Sequence, residues 1–384
     1  MSVRTMFQSI QKVLLGLSLS LLPAYLKAQI DSIPRTDSAL IKQISLHQGS
    51  LNPLPQSNQA RTAPATLPDI SAIGDFRGSY TWKNKFDSRI NEVEVSLQSA
   101  VDPYARADFF LSVGRDLETG KFGLDLEEGY LTTLSLPGHL QLKAGKFRGA
   151  LGRINPVHPH TLPFIGLPAG YENYFGEGIN SDGLSLSWLI PNSLFYQELV
   201  LQVTNWPADN PSFSGGSGGK WLKLAHLKNF FDLSANATIE AGLTGISGTN
   251  LFGFTTNMAA IDLTYKWKPV QLNTYKSFTW QAEAWLSNAD TLKTRAVNTF
   301  GLYSFINYQI SKRWFITGMF SHSNRPYSTH ISENSCSATI GWYATEFQKI
   351  EIEGRSVTDN IEKNSYQALL RWIFVIGTHG SHQY

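Results

Sequence analysis

From residue 69 onward, apolar and polar side chains alternate with a period of two, the pattern of β-strands that have oil on one face and water on the other. Val93, Val95, Leu97 and Val101 share one face, against Glu92, Glu94, Ser96 and Gln98 on the other. Ala105, Ala107, Phe109, Leu111 and Val113 likewise oppose Arg106, Asp108 and Ser112. The pattern recurs with Ile261, Leu263, Tyr265 and Trp267 against Asp262, Thr264 and Lys266. Cys336 sits on the apolar face with Ala338, Ile340 and Trp342, which makes it a small outward filler rather than a nucleophile. Sixteen such segments are predicted, the first starting near Ile70 and the last near Ser365. Each runs for about 9–13 residues, enough to cross a hydrocarbon layer at a tilt.

The connections sort by length. Tight turns fall at Val101-Asp-Pro, Pro191-Asn-Ser, Ser311-Lys-Arg and Thr345-Glu-Phe, while longer polar stretches are expected at 83–90, 149–182, 205–220, 288–297 and 324–334. Short turns on one side and long loops on the other are what a transmembrane barrel needs, and a soluble sandwich has no reason to sort them. The expected fold is therefore all-β: an antiparallel transmembrane barrel of about sixteen strands, with the long third outward loop folded into the lumen. The segment from Trp221 to Phe231 also satisfies helical spacing, but an even strand count favours reading it as a strand. Aromatic residues cluster near strand ends, including Trp82, Trp188, Tyr196, Trp206, Trp314 and Trp372, as interfacial girdles do.

Composition then places the chain. Residues 1–28 read as an export signal, with Arg4 and Lys12 ahead of an apolar Val13–Leu22 core and a cleavage site after Leu26-Lys27-Ala28. Residues 29–68, rich in Ser, Pro, Gln and Asn, read as a flexible periplasmic lead-in, and 69–384 as the barrel. The single cysteine excludes a disulfide scaffold. The whole-chain charge of +2 includes the signal's three cations, so the exported part carries no basic surplus for a nucleic acid.

The candidate chemistry concentrates in the long loop from Gly149 to Asp182, whose prolines, glycines and aromatics (Phe164, Tyr171, Tyr174, Phe175) predict a folded segment. Lys143, Lys146, Arg148 and Arg153 are expected near a constriction opposite Asp125, Glu127 and Glu177, where opposed charges would set ion preference. Acidic residues predominate on the inward face, an excess that favours cations but leaves the ion selectivity open. His158 and His160 are a candidate metal pair, although a zinc site needs three or four ligands, and His379 and His382 fall on the opposite side. The reading is thus no resident cofactor, with zinc at His158 and His160 as the alternative. Gly215-Gly-Ser217-Gly-Gly219 matches a hydrolase G-x-S-x-G pattern, but it lies in a glycine-rich loop rather than on a strand–turn–helix elbow. Catalysis is not expected.

The run LEEGYLTTLSLPGHLQLKAGKFRGALGRINPVHPHTLPF, followed by YFGEGINSDGLSLSWLIP, resembles Gram-negative outer-membrane porins related to the phosphate-selective porin O and P group. Members of this subset often carry the label of zinc-regulated TonB-dependent receptors. The resemblance implies an outer-membrane barrel surrounded by lipid, and the porin label implies passive diffusion of small hydrophilic solutes or ions. By analogy with porins a homotrimer is expected, although no feature of the sequence encodes one. The receptor label conflicts with the roughly 40 residues between signal and first strand, because a TonB-dependent transporter carries a far larger plug ahead of a 22-stranded barrel. A receptor or zinc-linked binding protein without its own plug is the alternative reading.

Overall fold

The computed structural model describes residues 68–377, apart from 82–83, 116–121, 192–193, 206–209, 215–220, 274, 293–294 and 362–363. The export signal, the lead-in, Trp82, Trp206, the Gly215–Gly219 pattern, His379, His382 and the terminal Tyr384 lie outside the described residues.

Sixteen strands follow one another along the chain. They are β1 (Asp69–Thr81), β2 (Asn84–Asp102), β3 (Ala105–Arg115), β4 (Phe122–Thr133), β5 (Leu140–Arg148), β6 (Asn180–Leu189), β7 (Tyr196–Thr204) and β8 (Leu222–Ser234). Then come β9 (Ala237–Thr249), β10 (Thr255–Trp267), β11 (Ser277–Leu292), β12 (Arg295–Ser311), β13 (Trp314–Arg325), β14 (Ser328–Thr345), β15 (Gln348–Asp359) and β16 (Ser365–Gly377). Each pairs antiparallel with its neighbours in the chain, and β1 closes on β16 from Ser71 opposite Gly377 to Thr81 opposite Gln367. Closure matters physically: in hydrocarbon an open sheet edge would leave a row of unpaired peptide groups, and a closed ring leaves none.

The alternation now has a geometric meaning. Leu184, Leu186, Trp188, Ile340, Ile352 and Ile376 point outward and are exposed, whereas Glu94, Ser96, Ser335 and Thr339 point inward and are buried. A soluble protein would not present so much contiguous apolar surface to water. Cys336 is exposed on this outer face. The segment that also fitted a helix is strand β8, because its backbone pairs with β7 along one side and β9 along the other. Among the described residues no helix is long and apolar enough to cross a membrane.

The strands outrun the apolar pattern at one rim. β2 has 19 residues and β14 has 18, so the polar stretches 84–90 and 328–334 continue largely as strand, with a register shift between Ser328 and Ser332, instead of forming loops. Stretches within 288–297 do the same in β11 and β12. Backbone pairing does not require apolar side chains, so a ladder can continue into water once closure has set its register. At the opposite rim, two-residue turns join β2 to β3, β8 to β9, β12 to β13 and β14 to β15.

Candidate functional site

The connection between β5 and β6, residues 149–179, folds inside the barrel. It holds itself together through Asn155, whose side-chain amide donates to the Gly149 and Ile179 carbonyls at 2.7 and 2.9 Å. The Asn155 Oδ1 accepts from Ile179 N and from the Tyr171 hydroxyl, both at 2.7 Å. One side chain thus joins both ends of the loop to its middle. Burial pushes the Tyr171 hydroxyl up from its ordinary range, so it stays protonated as the donor. A short helix, α1 (Ala169–Phe175), carries Tyr171, Tyr174 and Phe175.

These aromatics face a sector of wall that breaks the polar-inside rule. Leu222, Leu224, Ile246, Met258, Trp285, Tyr303, Phe305 and Met319 occupy inward positions on β8 to β13 and form a buried core with the loop. Trp285 meets Tyr174 and Phe175 edge-on, with centroids 5.5 and 5.4 Å apart. The signal was present in the sequence as apolar residues at inward parity, but alternation alone does not say what covers them.

Polar contacts fasten the rest of the loop. Glu283 on β11 accepts from the Arg153 and Ile154 amides at 2.5 and 2.9 Å. Close approach here requires Gly152, whose φ is +54° and where a Cβ would collide with the Glu283 carboxylate. Gln202 on β7 receives the Ala150 amide at 2.9 Å, and Glu353 on β15 receives that of Ile165 at 2.6 Å. Arg371 on β16, fully buried, donates to the carbonyls of Pro159 and Leu162 at 3.0 and 2.8 Å and pairs with Glu351 at 2.6 Å. The loop therefore reaches across the lumen to wall strands on opposite sides.

The expected constriction charges are distributed as follows. Lys146 lies 3.7 Å from Asp125, and Arg148 lies 3.4 Å from Glu127, in both cases as neighbours on β4 and β5. Arg153 turns instead to Glu240 on β9 at 3.2 Å. Lys143 stands over the Tyr130 ring, 4.0 Å from its centroid, and Glu177 is exposed. Lys146 and Arg148 thus pair with carboxylates beside them on the wall, while Arg153 reaches from the loop to β9.

His158 and His160 come together, ring centroids 5.6 Å apart, in a tight turn where Pro159 opens a 3-10 segment. Three carboxylates surround His158: Glu94 on β2 at 2.9 Å from Nδ1, Glu127 at 3.3 Å from Nδ1, and Glu128 at 2.7 Å from Nε2. Glu128 was not among the residues singled out by alternation. A register shift between Phe110 and Leu111, opposite Glu128 and Leu126, leaves Glu127 as an extra residue in β4. This bulge turns both Glu127 and Glu128 toward the lumen. The ladder between β4 and β5 runs only from Gly129 to Thr132, and beyond it the Glu128 carboxylate accepts the Arg148 amide at 3.1 Å. Ionised carboxylates only accept, so a ring bonded to them through both nitrogens is the imidazolium. Burial opposes that charge, but the hydrogen bonds to Glu127, Glu128 and Glu94 outweigh it and hold the His158 pKa well above the ordinary imidazole range.

No protein-family profile matches the chain. A protein of Aquifex aeolicus (strain VF5), described only as uncharacterized, is 24% identical and aligns with 83% of this chain and 80% of its own length. Solved structures of outer-membrane proteins share the fold, three of them as follows. DcaP, an outer membrane channel of Acinetobacter baumannii, has a TM-score of 0.57 at 7% identity, over 80% of this chain and 97% of that one. The anion-selective porin of Comamonas acidovorans has a TM-score of 0.56 at 8% identity, over 80% and 99%. OmpT of Vibrio cholerae, an outer membrane protein solved in a trimer form, has a TM-score of 0.54 at 9% identity, over 80% and 99%. With its closed ring of sixteen antiparallel strands, apolar outer face and loop-filled interior, the chain has the fold of the outer-membrane porins.

Proposed function

We propose that this protein is an outer-membrane channel that admits small hydrophilic solutes or ions by diffusion, with residues 149–179 as the constriction. The observation that carries this reading is the loop itself, which is folded inside a closed barrel and anchored to β7, β11, β15 and β16. A segment held in the lumen at many points narrows a pore without needing to move, as a passive filter requires. The wall carries both signs, with Lys228 3.7 Å from Glu240 and Arg106 2.8 Å from Asp108. Such paired charges favour hydrated polar solutes over apolar ones. The trimer form of OmpT makes a homotrimer the assembly to look for here.

Reconstitution into a planar lipid bilayer tests the reading. Stepwise conductance that rises linearly with salt is the expected result, and an electrically silent barrel that is nonetheless inserted and folded would overturn it.

A further inference from the structure

Three donor atoms, from Glu94, His158 and His160, converge at the His158–His160 turn, with Glu127 next to His158. Glu94 Oε2 lies 2.9 Å from His158 Nδ1 and 3.7 Å from His160 Nδ1, and Glu127 Oε2 lies 3.3 Å from His158 Nδ1. Ligands held 2.0–2.1 Å from a tetrahedral zinc stand about 3.3 Å from one another. The separations of Glu94 from the two imidazoles bracket that value, so an ion could enter between these three side chains with small movements. The donor atoms of Glu94, His158 and His160 all lie within 4.8 Å of one another, as do those of Glu92, Glu94 and Glu127.

The surroundings also fit. His158 Nε2 is 2.7 Å from Glu128, so the nitrogen that would not bind the ion donates to a carboxylate, the arrangement that fixes a metal-bound imidazole. Arg148 steadies Glu127 from the far side, and the Phe110 ring, its centroid 4.9 Å from that of His158, walls off the site. Glu94 is 2% exposed, and its second oxygen, Oε1, is buried without a hydrogen-bond partner. A buried carboxylate oxygen in that condition is costly unless a proton or a cation comes to it.

We infer that Glu94, His158 and His160 form a binding site for one divalent ion of zinc's class, with Glu127 beside it as the nearest further carboxylate, and that the ion ties the constriction loop to strand β2. Two imidazoles with a carboxylate suit zinc, whereas calcium and magnesium prefer all-oxygen shells. Binding displaces the Nδ1 proton of His158 to solvent, and the imidazole binds through the freed lone pair. The inference does not rest on conductance, because its readout is metal content.

Full-length barrel purified from membranes in detergent, stripped with chelator and titrated with zinc chloride, provides the test. The expected result is one zinc per chain, with a melting temperature several degrees higher when zinc is bound. H160N and E94Q should each weaken uptake by about 100-fold or more, beyond the 10- to 100-fold typical of a lost supporting contact. If E94Q does not insert, H160N decides alone, since it lies on the loop and leaves the sheet unaltered. Uptake that is absent, that is unchanged in H160N, or that disappears with H379N/H382N in place of the loop variants would overturn the inference.

Discussion

Replacing Arg371 with Met should loosen the constriction loop without unfolding the barrel. The guanidinium is fully buried and donates from Nε to Glu351, from Nη1 to the Pro159 carbonyl and from Nη2 to the Leu162 carbonyl. Met fills similar volume but offers no donor, so two loop carbonyls lose charge-assisted hydrogen bonds, each contributing about 1.5–3 kcal/mol. Lys349 softens the loss, because its Nζ already reaches the Leu162 carbonyl at 3.4 Å and remains 3.3 Å from Glu351. The net effect should lie near the lower end of the range, about 3 kcal/mol in total, which raises the detached fraction of the 159–162 segment by about 100-fold. Limited proteolysis of the reconstituted barrel should cut the loop correspondingly faster, and single-channel records should show a larger or noisier open level. Arg371→Lys should recover part of the effect. If Arg371→Met leaves both the cleavage rate and the open level as in the wild type, the loop is not held from β16 and the anchoring argument fails.

Trp285→Ala should open a cavity under Tyr174 and Phe175 and destabilise the packed loop by about 3–5 kcal/mol, a cost that thermal melts followed by near-UV circular dichroism would register. Unaltered melting would mean that the loop does not rest on this sector. Gly152→Val should push the backbone off its left-handed conformation and into Glu283, freeing the Arg153 and Ile154 amides, which hydrogen exchange on the loop would detect as lost protection. Cys336, outward on β14, should react in membranes with a lipid-soluble maleimide and not with a membrane-impermeant one; the reverse result would invert the inside–outside assignment. Ile340→Arg on the same face should reduce folded, heat-modifiable barrel by about 2–4 kcal/mol if it lies near the bilayer midplane, while Thr339→Arg, facing the lumen, should disturb the loop contacts of Glu353 instead.

The alternation of side chains determined which residues face lipid and about how many strands there are, and together with the sorting of the connections it pointed to a closed barrel. Outward Ile340 and inward Thr339 could be told apart because a pleated strand turns neighbours to opposite sides wherever it sits. Length and aromatic content likewise marked residues 149–182 as a folded loop, and the pairing of His158 with His160 was visible in three consecutive residues. What the loop touches was not visible. Glu94 lies 64 residues from His158, and Glu353 lies 188 from Ile165, so only the inward fold of the loop against the assembled wall brings them together. The bulge that turns Glu127 and Glu128 to the same side is one added residue in β4, which shifts parity without changing composition. The ends of β2 and β14 depended on backbone pairing that continues past the apolar pattern. Periodicity is a local property and reads directly from the chain, whereas register, bulges and the carboxylate cluster around His158 follow from how sixteen strands share one circumference.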